Sequence, residues 1–138
     1  MQLLFIDTSA FYAIADSSDQ RHQAASLFSD YAVGKYRFVT TNYILDELYT
    51  LLLAHIGYHI AVTYQREIDK LITAEILQVI WIDEAIAYQA WQIFEKFNLD
   101  KEWSFTDCTS YVVMKQRGVT EAFTLDHHFS QMGFIQYP

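Results

Sequence analysis

Four carboxylates stand where an acid can do more than solvate a surface: Asp7, Glu47, Asp107 and Asp126. Asp7 follows the apolar run Leu3-Leu4-Phe5-Ile6, and Asp126 repeats that placement after Phe123-Thr124-Leu125. An aspartate behind a strand is a favoured helix N-cap, which explains either residue taken alone. Asp107 closes Ser104-Phe105-Thr106-Asp107, a capping box in which the acid reaches back to the cap backbone. Glu47 has no such local role. It lies three residues after Ile44 and four before Leu51, and is expected within the inward stripe of Ile44, Leu48, Leu51 and Leu52. A buried ion pair, or a place at the end of the stripe, is the plain alternative. The neighbouring Asp46 points away from the stripe and reads as solvated surface.

Gathered together, these acids imply a definite chemistry. Clustered carboxylates repel one another unless a cation or a proton neutralises them. Ligands that are all oxygen favour hard Mg²⁺ or Mn²⁺ over Zn²⁺. Such an ion activates water and stabilises charge developing on a phosphodiester. The sequence must therefore supply a framework that converges the four.

Apolar runs and breakers outline that framework. Strands are expected at Leu3–Ile6, Arg37–Thr40, Glu75–Ile82 and Glu121–Thr124, with a short edge strand at Phe134-Ile135. Helices are expected from Thr8 to about Ala15, Arg21 to Ala32, Asn42 to about Ile56, Tyr58 to about Thr73, after the cap Asp83 to about Phe97, and Phe105 to Arg117. A short helix follows Asp126. Strands separated by helices imply right-handed crossovers and an α/β fold with helices on both faces of a parallel sheet. In such sheets ligands bind beyond the carboxyl ends of the strands, at the switch in strand order. Asp7 and Asp126 follow strands, Glu47 is early in the helix after the second strand, and Asp107 begins a helix packed on the sheet, so all four can meet at one edge.

Composition narrows the class. At 138 residues with 52% apolar and 19% charged, one domain spanning 1–138 is expected, and disorder is not. With four glycines and a single terminal proline, long regular elements joined by short loops follow. No apolar run is long enough to span a bilayer, and no signal-peptide pattern opens the chain. A single cysteine, Cys108, excludes an internal disulfide; a cytoplasmic location and no membrane partner are expected. A net charge of −8 repels a polyanion, so RNA should be held weakly and in a salt-sensitive way.

The motifs in their order resemble a PIN domain, of the short kind found in VapC-type toxins. The carriers are Phe5-Ile6-Asp7-Thr8-Ser9-Ala10, Thr40-Thr41-Asn42-Tyr43-Ile44-Leu45-Asp46-Glu47, Trp103-Ser104-Phe105-Thr106-Asp107-Cys108 and Phe123-Thr124-Leu125-Asp126-His127-His128-Phe129, with Met132-Gly133-Phe134 at the close. The resemblance covers nearly the whole chain. It implies a three-layer α/β/α fold around a mostly parallel sheet of four to five strands. It implies a metal-dependent endoribonuclease, with Asp7, Glu47, Asp107 and Asp126 as both catalytic residues and ligands for Mg²⁺ (or Mn²⁺). Thr8 or Ser9 matches a hydroxyl residue supporting the first aspartate, and Ser104 a polar residue close to the site. The same resemblance implies an RNA substrate, a homodimer, and a toxin silenced by a cognate antitoxin.

Other residues admit two readings. His127 and His128 either relay protons or touch RNA, or simply form the first turn of the last helix, the preferred reading. Trp103 either stacks on a base or packs its loop on the core. Cys108 is expected to be a buried, inert thiol. The apolar residues Tyr43, Tyr49, Leu53, Tyr58, Val62 and Tyr64 exceed one helical stripe and suggest a dimer or antitoxin surface, or a crowded core. Among competing functions, a catalytically idle RNA-binding or scaffold domain would keep the fold and cut nothing. A phosphotransfer enzyme would want a second aspartate after Asp7, where Thr8-Ser9 stands, and no Gly-rich phosphate loop is present.

Overall fold

All 138 residues are described by the computed structural model. Five strands form one sheet: β1 (Gln2–Ile6), β2 (Tyr36–Thr41), β3 (Leu77–Ile80), β4 (Glu121–Phe123) and β5 (Ile135–Tyr137), in the order β3-β2-β1-β4-β5. Every pairing is parallel. The expected four to five mostly parallel strands are thus five, all parallel. β1 takes the centre because Leu4, Phe5 and Ile6 are apolar on both faces, and all three are buried.

Between β1 and β2 run α1 (Thr8–Ala15) and α2 (His22–Ala32), and between β2 and β3 run α3 (Asn42–His55) and α4 (Tyr58–Thr73). The chain then crosses back through α5 (Glu84–Phe97) and α6 (Phe105–Arg117) to β4, and α7 (His128–Gln131) leads to β5. Helix α1 packs on both α2 and α3, α3 packs on α4, and α5 packs on α6. Right-handed crossovers running outward to β3 and then back past β1 put these two groups on opposite faces. Ridges of aromatic side chains seal the layers: Phe28 of α2 meets Phe123 edge-on at 4.8 Å and stacks on Tyr137 at 5.2 Å.

Local chemistry sets the helix ends. Thr41 Oγ1 accepts from Ile44 N at 3.2 Å, Asp83 Oδ1 from Ile86 N at 2.9 Å, and Ser104 Oγ from Asp107 N at 3.0 Å. Thr41, rather than Asn42, caps α3; Asn42 Oδ1 instead accepts from Ile82 N at 2.7 Å and ties α3 to the end of β3. The third strand is shorter than Glu75–Ile82. Glu75 adopts φ +60°, and the Ile76 N–H bonds back to Leu71 O at 3.0 Å, so these residues close α4 before β3 can begin.

The amino end of the sheet carries a closed polar cluster. Glu121 is buried and accepts hydrogen bonds from Gln2 Nε2, from Tyr137 Oη at 3.0 Å and from Tyr36 Oη at 3.3 Å. Burial, with the Glu121 charge added to it, pushes the Tyr36 phenol up to about 12, so it remains a donor at neutral pH. The carboxylate is fully engaged and ties β1, β2, β4 and β5 together. Glu121→Ala strands three donors, and is expected to cost about 2 kcal/mol; urea unfolding with an unchanged m-value and a lowered midpoint is the check.

Candidate active site

The strand order reverses at β1. The chain moves from β1 out to β3, then returns to β4 on the other side of β1, which opens a crevice over the carboxyl ends of β1 and β4. Ile6 and Phe123 pair in register, and Asp7 N donates to Phe123 O at 3.0 Å. This register brings Asp7 beside Thr124. The crevice has a volume of about 360 Å³, and its walls include Asp7, Glu47, Asp107 and Asp126 together with Thr8, Ser9 and Ser104. The four acids and the three supporting residues expected from sequence therefore lie in one cleft.

Asp7 is 5% exposed and does not cap α1 with its side chain. Its Oδ2 instead accepts from Thr124 Oγ1 at 2.9 Å and Ser9 Oγ at 3.0 Å. Thr124 Oγ1 also accepts from Asp126 N at 3.0 Å, and Ser9 Oγ from Leu125 N at 2.9 Å. Two hydroxyls thus tie the end of β1 to the loop after β4. Of the two expected supports, Ser9 acts through its side chain and Thr8 through its backbone N–H; Thr8 Oγ1 is buried without a partner.

No basic side chain pairs with Asp7. Burial, reinforced by the charge of Asp107, pushes its carboxyl up to about 7 against the opposing bonds from Thr124, Ser9 and Thr8.

Asp107 performs the expected capping box and more. Its Oδ2 accepts from Ser104 N at 3.0 Å and faces His128 Nδ1 at 2.9 Å. Asp126 receives the His128 backbone N–H on Oδ1 at 3.0 Å, and its Oδ2 lies 3.2 Å from His128 Nδ1. His128 is therefore both the first residue of the last helix, as preferred above, and a bridge between two acids of the cleft. Atoms of Asp126, His127 and His128 lie within 4.8 Å of one another, in reach of one ion.

Glu47 departs from expectation. It is exposed, not buried in the stripe, and stands at the mouth of the cleft beside Leu51. The buried face of α3 is centred on Leu48 and Leu52 and extends to Leu45, leaving Glu47 and the half-buried Leu51 on its shoulder. The base-stacking reading of Trp103 is also overturned. Trp103 is 4% exposed, packs on Phe97 at 5.2 Å and donates to Gln131 Oε1 at 2.9 Å. Cys108 is buried as expected, and burial followed by Asp107 pushes its thiol up to about 11, leaving it unreactive. Tyr43, Tyr49 and Tyr64 pack against the core, whereas Leu53 and Tyr58 are exposed.

Sequence reasoning assigned no role to Thr124, Arg21 or Tyr12, which complete the site. Thr124 is buried and bonds Asp7; Arg21 and Tyr12 line the cleft. The Thr124-x-Asp126 spacing was the one available signal for the first. Arg21 is the only Lys or Arg in the lining, with Nη1 donating to Leu125 O at 3.3 Å.

The sequence profile of the PIN domain matches residues 4–135. The chain belongs to the PIN domain family. It is 29% identical to the 23S rRNA-specific endonuclease VapC20 of Mycobacterium tuberculosis over 134 residues, 97% of each chain. It is 28% identical to a VapC ribonuclease of Archaeoglobus fulgidus over 113 residues, 80% of this chain and 69% of that one. The crystal structure of VapC20, a sarcin–ricin loop cleaving toxin, superposes with a TM-score of 0.83 over 96% of both chains. VapBC2 from Rickettsia felis, bound to promoter DNA, shares the fold at 10% identity and a TM-score of 0.69, covering 98% of this chain and 97% of that one.

The raised carboxyl of Asp7 has a thermodynamic sign. Its pKa is about 7 in the fold against an ordinary 3.8, so the folded state holds a proton that the unfolded state releases between those values. Stability present below pH 4 is lost as pH rises to 7, at most about 4 kcal/mol. Asp7→Asn keeps an acceptor for Thr124 and Ser9 without the charge. In metal-free buffer at pH 8 it is expected to melt higher than wild type, with the difference vanishing near pH 4; thermal unfolding across that range is the check.

Proposed function

We propose that this chain is a metal-dependent endoribonuclease of the VapC type, the toxin of a toxin–antitoxin pair, using Asp7, Glu47, Asp107 and Asp126 in Mg²⁺- or Mn²⁺-assisted hydrolysis of RNA phosphodiesters. The observation that carries the reading is the buried Asp7, with no basic side chain paired to it, among three further carboxylates at the switch point. The likeness to VapC20 over nearly the full chain supports it.

The donor set suits a hard dication. Asp7 lacks a counter-charge, Thr8 offers an orphaned hydroxyl, and carboxylates predominate. Asp7 and Asp107 would hold the ion, with Asp126 and Glu47 completing the set; imidazoles at His127 and His128 would make Mn²⁺ a good occupant. When bound, the ion lowers the pKa of a coordinated water and stabilises charge on the phosphoryl oxygens.

The chain's own groups do the rest. Ser9 and Thr124 fix the Asp7 carboxylate, and Ser104 N orients Asp107. Glu47, exposed at the mouth, is free to accept a proton from incoming water. Arg21 meets a phosphate at the rim. A cognate antitoxin and a homodimer belong to the same reading.

Three substrates test it: an oligonucleotide carrying a sarcin–ricin loop, transfer RNA and unstructured RNA. Cleavage is expected in Mg²⁺ or Mn²⁺, none in EDTA, and a loss of at least about a hundredfold in Asp7→Asn. A folded wild type inert on all three under every condition would favour the idle binding domain. Arg21→Ala is expected to weaken RNA binding and to lower the slope of log affinity against log salt by about one, read by fluorescence anisotropy.

A further inference from the structure

A second, larger recess lies away from the acid cleft, along the outer edge of β3. It has a volume of about 870 Å³. We propose that this groove takes an extended, cationic segment of a partner protein, which adds to β3 as a sixth strand.

The edge itself is the first argument. β3 pairs with β2 on one side and has no strand on the other. Phe38 N donates to Ile76 O at 3.0 Å, so Ile76 and the residues in step with it face β2, while Leu77 and Val79 turn their backbone away from it. Leu77 is 2% exposed and already covered, so the half-buried Val79 carries the open part of the edge. Sheets usually guard such an edge with lysine, proline, a bulge or a covering loop. The β3 sequence Leu77-Gln78-Val79-Ile80 carries no lysine or proline, and it is flanked by Ile76 and Trp81, which are 39% and 72% exposed. The opposite edge is better guarded: β5 is three residues long and runs into Pro138.

Charge selects the occupant. The groove floor is apolar, with Leu45, Tyr49, Ile72 and Val79 available to alternate side chains of an added strand. Its rim carries the carboxylates of Asp46, Asp69 and Glu75 against the single guanidinium of Arg37. That balance repels RNA. It equally opposes a second copy, because pairing β3 with β3 would set the same acidic rim against itself. Lysine or arginine on the incoming strand satisfies it. Glu75 also holds the left-handed conformation that glycine would adopt at less cost, and so sets a carboxylate where the helix end would otherwise be bare. The inference does not depend on the nuclease reading, since binding and not cleavage is measured.

The probe is a synthetic eight-residue peptide alternating valine with lysine or arginine, titrated calorimetrically against the whole protein. The expected result is a Kd below about 100 μM at low salt. Binding is expected to be at least tenfold weaker for the same peptide N-methylated at alternate residues, which keeps its charge but removes strand pairing. It is expected to be equally weakened in Val79→Pro, which blocks an outward N–H while leaving the β2 ladder intact, and weaker and less salt-dependent in Asp69→Asn/Glu75→Gln. No binding of the parent peptide overturns the proposal. So does equal affinity for the N-methylated peptide, which would mean diffuse attraction to an acidic protein, or displacement of the peptide by an RNA oligonucleotide. If Val79→Pro does not fold, the N-methylated peptide against wild type decides the matter.

Discussion

Everything at the working end of this molecule depends on one unfavourable contact, the approach of Asp107 to an already buried Asp7. Two carboxylates repel, and burial of Asp7 strips away much of the solvent that would screen them. The fold holds them together with short bonds from Ser9, Thr124, Ser104 and His128. These bonds orient the acids without supplying a full positive charge to Asp7. The result is a preorganised anionic crevice in which a dication gains more than it would from the same acids in open solvent.

The bonds that hold this arrangement also build the fold. The Asp107 carboxylate closes a capping box and faces the cleft through the same oxygen atom. The Asp126 carboxylate shapes the turn into α7 and presents its other oxygen to His128. Capping and chemistry are therefore not competing explanations for these residues. A helix N-terminus needs an acceptor and tolerates negative charge, and a metal site needs acids held at fixed angles; one side chain at such a terminus is suited to both. Asp7 is the exception: it caps nothing, and its position answers only to the cleft.

Acidity is distributed with a purpose that net charge conceals. At −8, the chain offers RNA little general attraction, and a single arginine reaches the cleft. On the proposed reading, grip on a substrate comes from shape and from the ion more than from a basic surface. The same acidity, concentrated on the rim at the β3 edge, faces outward on an apolar groove where it favours a basic protein segment. The two poles of the sheet contrast in the same way. At the amino end Glu121 is fully satisfied by three donors and is structural, whereas the acids at the carboxyl end are left partly unsatisfied.

Much of this was written along the chain. The apolar run Leu3–Ile6 had to be a central strand, because only a position between two neighbours and two helical layers buries consecutive large side chains on both faces. The alternation of strands and helices then required parallel pairing, and Asp7 and Asp126 followed to one edge from their places behind strands. Local signals of that kind need no knowledge of distant residues. What the tertiary structure alone decided involves residues far apart in sequence. Thr124 became the partner of Asp7 because β4 pairs with β1 in one register out of several. His128 reached Asp107 because α7 lies across the start of α6. Glu47 turned to the mouth of the cleft because packing rotated α3 onto Leu48 and Leu52, a matter of tens of degrees that periodicity does not resolve. Trp103 went inward because Phe97 and Gln131 were there to receive its ring and its N–H. Periodicity and capping are short-range and legible in a single chain; register, helix rotation and the partner of a buried polar atom are set by the simultaneous packing of every layer.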